Sequence, residues 1–120
     1  MRNWLMPAAA LGFLSVAAGA FAAHGLSDPA AQGWLRTAGE YGLLHVLASL
    51  VCAPLAQAGA PGAKRAAPLF LAGVVIFSGA LATMALGGPR WLGAVVPVGG
   101  TLFLAGWAVL AWSLRRGLRL

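Results

Sequence analysis

The chain has 120 residues, of which 61% are hydrophobic and 8% charged, where soluble domains carry roughly a quarter of charged residues. That balance excludes a soluble globular protein, and two acidic residues against eight basic ones give neither a solvated disordered tail nor a patterned nucleic-acid surface. A lipid bilayer is the solvent that remains, and the net charge of +6 has to be explained within it.

The first apolar stretch runs from Trp4 to Ala23. Arg2 ahead of it and the Ala20-Phe21-Ala22 pattern imitate a cleavable secretory signal. Its length argues for retention, because about 20 apolar residues cross a hydrocarbon core of roughly 30 Å and exceed a usual signal core. Ala8, Gly12, Ser15 and Gly19 recur at helical spacing and make one shallow face for another backbone. The linker from His24 to Ala38 follows, where Ser27-Asp28-Pro29 reads as a helix start and Trp34 and Leu35 suit the headgroup level. A short outer interfacial helix is expected between spans 1 and 2.

The second span is Gly39 to Ala58. It holds His45, and an ionisable residue inside a membrane is by default a functional candidate. Tyr41, His45 and Ser49 share a helical face, and Glu40 is expected at the outer mouth of the same helix. Two readings stand side by side: a relay or ligand site built on a neutral imidazole, and a histidine satisfied by a neighbouring helix. Cys52, the one cysteine, has no partner for a disulfide and no metal-ligand spacing, so it reads as a packing residue.

Lys64 and Arg65 mark the next loop, and the third span is Ala67 to Leu86. In it Ala72, Gly79 and Thr83 form a small-residue stripe, and Ser78 is expected about 12 Å below the outer end. After Pro89 and Arg90 the fourth span covers about Gly93 to Ser113, with Pro97, Gly99, Gly100 and Thr101 as a broken-helix signal in its outer half. Gly99, Gly106 and Ser113 repeat every seven residues as a packing stripe. Pro54 and Pro97 are expected to kink their helices, and the five tryptophans read as interfacial anchors near span ends.

These segments predict an all-α integral membrane protein, a single four-helix transmembrane bundle over residues 1–120. Arg2, Lys64, Arg65, Arg115, Arg116 and Arg119 fall on one side and Arg36 and Arg90 on the other. The bias predicts that both termini are cytoplasmic. The net charge is therefore topogenic, and no nucleic acid is expected as a partner.

The outer-half candidates are His24, Glu40, Tyr41, His45, Ser78, Pro97, Gly99 and Gly100, with Gly12, Ser15, Gly19, Gly79 and Gly106 as helix-packing positions. His24, Glu40 and His45 are ligand types for a metal, but they lack tight ligand spacing, and neither a metal nor another cofactor is expected. Ser49 and Ser78 have no nucleophile elbow, and both carboxylates, Asp28 and Glu40, are expected at the outer interface, so no catalytic residue is assigned.

Several motifs in order, Gly19-Ala20-Phe21-Ala22-Ala23-His24-Gly25-Leu26, Tyr41 with His45, Phe77-Ser78-Gly79, Pro97-Val98-Gly99-Gly100 and Gly106-Trp107, resemble the small bacterial inner-membrane family typified by YgdD. The resemblance spans most of the chain and implies a four-helix inner-membrane protein of a family without an assigned function. Ala80, Ala82 and Val96 stand where that family commonly carries a serine, a tyrosine and a threonine, which removes polar groups from a relay through the last two spans. The leading expectation is a non-enzymatic accessory or interaction subunit, or a lipid-facing scaffold, with membrane lipids and another membrane protein or a second copy as partners. The alternative is a small homo-oligomeric transporter or channel with a polar site around His45.

Overall fold

The computed structural model describes residues 4–119, so Arg2, which contributes to the charge bias, lies outside the described residues. Four stretches are long and apolar enough to cross a membrane: Leu5–His24, Pro29–Gln57, Ala63–Ala85 and Arg90–Ser113. No strand occurs among the described residues. The first stretch is helix α1 and the second is α2. The third consists of α3 (Ala63–Gly73), a π turn (Val74–Ser78) and α4 (Gly79–Ala85). The fourth begins with a 3-10 turn at Arg90–Ala94 and continues as α5 (Val96–Ser113).

The start of α2 follows from its local chemistry. The Asp28 carboxylate accepts from the Ala31 N–H at 3.0 Å, Pro29 occupies the first turn, and the Gln32 side chain donates to the Leu26 carbonyl at 2.6 Å. The segment expected as a separate outer helix is thus the first part of α2, joined to span 2 without a break. The reason lies in its residues: nothing between Ala30 and Ala53 interrupts helical hydrogen bonding, and Thr37, Ala38 and Gly39 are accommodated once neighbouring helices cover them. At 29 residues α2 is about 43 Å long, more than a hydrocarbon core requires.

Pro97 lies in the first turn of α5, where its missing N–H costs no helical bond, and α5 is continuous behind it. The span is thus interrupted at Val95, just ahead of Pro97, while Gly99 and Gly100 lie in continuous helix rather than at a break. Pro54 does lie inside α2. Tight links close the terminal end of the molecule: Gly59 turns the chain at φ 119°, accessible to glycine, and the Arg119 N–H donates to the Ala58 carbonyl at 2.6 Å.

Helix α2 is the central element. α1 runs antiparallel along one flank, span 3 along another, and α5 packs on α3 and the π turn. The core is layered along the long axis. Ala48, Cys52, Ala66, Ala67, Phe70 and Leu110 fill the terminal end; Ala8, Val46, Val74 and Phe103 fill the middle; Ala22, Ala31, Leu35 and Ala85 fill the far end. Alanine dominates these layers, so cohesion comes from close helix approach rather than from large interlocking side chains. Large apolar residues such as Met6, Phe13, Leu104 and Trp112 point outward, which is stable in lipid and not in water.

Candidate functional site

His45 lies at the middle layer, buried between α2, α3 and α5. Its Nδ1 is 2.8 Å from the Tyr41 carbonyl, one turn back, and its Nε2 is 3.0 Å from the Trp107 indole nitrogen. A carbonyl only accepts and an indole N–H only donates, so Nδ1 carries the proton and Nε2 accepts: the ring is neutral and both nitrogens are engaged. The ring stacks on Phe103 at 3.7 Å between centroids and 7° between planes, with Trp107 edge-on and Phe70 tilted beside it. One histidine thereby ties α2 to α5 through the Trp107 hydrogen bond and the stack on Phe103, while the Tyr41 carbonyl within α2 holds the ring in place.

Of the other expected members, Tyr41 belongs to this centre: its carbonyl holds Nδ1, and its half-exposed ring stacks 6.2 Å from the imidazole and lies beside Phe77 and Phe103. The rest stand apart. Ser49 shares the His45 face, but its hydroxyl donates back to the Val46 carbonyl at 2.7 Å. His24 and Glu40 are both exposed. The pairing of Ala22 with Leu35 and of Gly12 with Val46 places His24 roughly 18 Å along the axis from His45. No group of three metal-ligand side chains forms among the described residues. Glu40 lies roughly 9 Å along α2 from Trp34, in the third to fourth turn of a helix that starts at Pro29.

Ser78 closes the π turn and donates to the Ala38 carbonyl at 2.7 Å, tying span 3 to α2. The Ser15 hydroxyl, bonded to the Leu11 carbonyl at 2.8 Å, approaches the same place from α1. A Cβ on Gly42 would lie 2.5 Å from the Ser15 hydroxyl and 3.2 Å from that of Ser78. Three elements therefore meet at a position that only glycine leaves open. Gly39 lets α1 come closer still, since a Cβ there would sit 2.7 Å from the Ser15 carbonyl oxygen. Gly99 does the same between α5 and the π turn, 2.5 Å from the Phe77 nitrogen, and Gly106 admits the Phe70 ring.

Among the expected packing positions Gly12 faces Val46 at an ordinary 3.4 Å, and Cβ atoms on Gly19 and Gly79 would meet nothing. The Ala72, Gly79 and Thr83 stripe faces outward. Span 3 packs instead through Ala63, Ala66, Ala67, Phe70 and Gly73. Small residues lie on both sides of this helix, so their spacing alone does not choose the buried one. Phe103 and Trp107, which complete the His45 centre, were not singled out from the sequence for that role, although they follow Gly99 at intervals of four on one helix face. Trp4 also acts inside the bundle, donating from its indole to the Ser49 carbonyl at 3.0 Å. Trp34, with Arg90 over its ring at 5.4 Å, Trp91 and Trp112 have the exposed or charge-paired setting of interfacial anchors, whereas Trp107, though partly exposed, turns its N–H inward to His45.

A groove of about 480 Å³ lies between α1 and span 3, floored by Leu35 and Ala38 of α2, and a second, more polar hollow of about 430 Å³ lies at the far end beside Asp28, Trp34 and Arg90. The groove has apolar walls, with Leu11, Leu14 and Phe21 on one side and Val75, Gly79 and Leu86 on the other. Its two hydroxyls, from Ser15 and Ser78, already donate to backbone carbonyls.

A family profile described as a protein of unknown function (DUF423) matches residues 18–100. The chain is 40% identical over 117 residues to a UPF0382 membrane protein of Haemophilus influenzae, covering 94% of each chain. It is 43% identical to the UPF0382 inner membrane protein YgdD of Escherichia coli K12, over 91% of this chain and 86% of that one. A UPF0382 membrane protein of Staphylococcus epidermidis is 35% identical over 92% of this chain and 93% of its own. No solved structure matches the chain.

Proposed function

The chain belongs to the UPF0382 (DUF423) family of multi-pass inner-membrane proteins, which has no assigned activity, and from that premise we propose that it is a non-enzymatic accessory subunit. In this reading it works through its lipid-facing surface, and the groove between α1 and span 3 receives an apolar helix of another membrane protein. The observation that carries this reading is the contrast between a satisfied polar interior and an open apolar groove. Both nitrogens of His45 are bonded, the Ser15, Ser49 and Ser78 hydroxyls donate to backbone carbonyls, and the groove walls are aliphatic, aromatic or glycine. A groove of that kind suits a smooth helix packed by close contact. We orient the molecule with its termini in the cytoplasm, because Lys64, Arg65, Arg115 and Arg116 gather at the terminal end and Arg36 and Arg90 at the other.

Gly79 provides the test. It lines the groove, and a Cβ there would meet nothing within 4 Å, so Gly79→Leu is expected to fill the groove and leave the helix contacts of the bundle in place. Affinity purification from the native membrane is expected to recover a stoichiometric membrane-protein partner with the native chain and to lose it with Gly79→Leu. Equal recovery with both chains, or recovery of no partner from gently solubilised membranes, contradicts the proposal.

A further inference from the structure

The face of α2 opposite the groove is exposed and combines charged with apolar residues. Glu40 is the one carboxylate within the four spans apart from the Asp28 cap, and it points away from the bundle. Around it on the same outward strip lie Arg36, Leu43, Leu44, Leu47 and Val51, all exposed. Ionisable groups on a membrane helix favour a protein or polar partner over lipid. No side chain of this copy covers Glu40, so a neighbouring protein is free to pair with it.

Arg36 sits one turn toward the far end from Glu40. Within a single helix this order, basic residue before acidic, is the weaker of the two arrangements, and no ion pair joins them among the described residues. Across a two-fold axis along the membrane normal the order becomes an advantage. Arg36 of one copy and Glu40 of the other differ in depth by about 6 Å, within the combined reach of their side chains, and the two-fold forms the pair twice. The strip also has the spacing of a helix seam: Arg36, Glu40, Leu43, Leu47, Val51 and Pro54 follow one another at intervals of four, three, four, four and three. Such a seam packs two parallel helices at the shallow crossing common in membranes.

We propose that this face of α2 joins two copies of the chain in a parallel dimer, held by reciprocal Arg36–Glu40 pairs above a seam of Leu43, Leu47 and Val51. The dimer uses the side of α2 away from the groove and stands whether or not the groove holds another protein. The apolar lower seam supplies contact, and the charged upper part sets register and rejects mismatched partners.

Two charge-reversal variants and their mixture test it. Arg36→Glu places two acids on the strip and Glu40→Arg two bases, so each variant repels its own copies, while one of each restores both cross-pairs. In lipid nanodiscs or by fluorescence transfer between labelled copies in liposomes, each variant alone is expected to dimerise about tenfold more weakly than the native chain, and the mixture to regain native affinity. An Arg36–Glu40 pair confined to one helix cannot produce rescue between different chains. Cysteine cross-linking of the otherwise native chain provides a readout free of charge changes: Leu47→Cys is expected to form dimers on oxidation in the membrane, and Leu104→Cys, exposed on α5, is not. A native chain that stays monomeric in lipid, a mixture no tighter than its parts, or equal cross-linking at both sites overturns the dimer.

Discussion

Hydrocarbon offers no hydrogen bonds, so each polar side chain on a transmembrane helix has to be satisfied by protein or drawn to the membrane surface. His45 meets the first condition through the Tyr41 carbonyl and the Trp107 N–H. Trp107→Phe keeps most of the ring packing and removes the donor, so it is expected to cost about 1 kcal/mol of bundle stability, measured by reversible unfolding in bicelles. Retention of the Nδ1–H tautomer in nitrogen NMR spectra of the native chain checks the same geometry, and the opposite tautomer contradicts it. That His45 matters could be read in the sequence, because a histidine in an apolar span is conspicuous. Its use could not, because Phe103 and Trp107 reach it from a helix 58 and 62 residues further along, and no pattern local to α2 names them.

At the level of helices, apolar length located all four crossings, and the Asp28-Pro29 start of α2 was legible from capping chemistry. The continuity of α2 and the π turn at Val74–Ser78 were not. Helix boundaries across a short polar stretch and a widened turn both depend on what packs against them, here Ser78 on Ala38 and Gly99 on Phe77. Small-residue stripes likewise name packing surfaces without ranking them. The structure separates them sharply: Gly99→Ala places a methyl group 2.5 Å from the Phe77 backbone nitrogen, and Gly79→Ala places one in open space. The first is expected to lose about 1–3 kcal/mol through forced separation of α5 from the π turn. The second should be neutral or slightly stabilising, because alanine is the better helix former. Parallel unfolding measurements on the two variants check the contrast, and equal losses would show that the glycine at position 99 is not a contact point.

As a whole the molecule is a thin bundle built on α2, with extents of 49 × 25 × 20 Å. Two exposed features lie on opposite sides of that helix, an apolar groove and a charged strip, and the proposals above assign a protein partner to each. The central claim is that this protein acts by holding other chains. Native mass spectrometry of the tagged protein, extracted gently from its own membrane, tests that claim most directly. The account predicts a mass of two copies together with a further membrane protein, the latter absent from the Gly79→Leu sample. A single copy carrying only a small-molecule cofactor or substrate would contradict it.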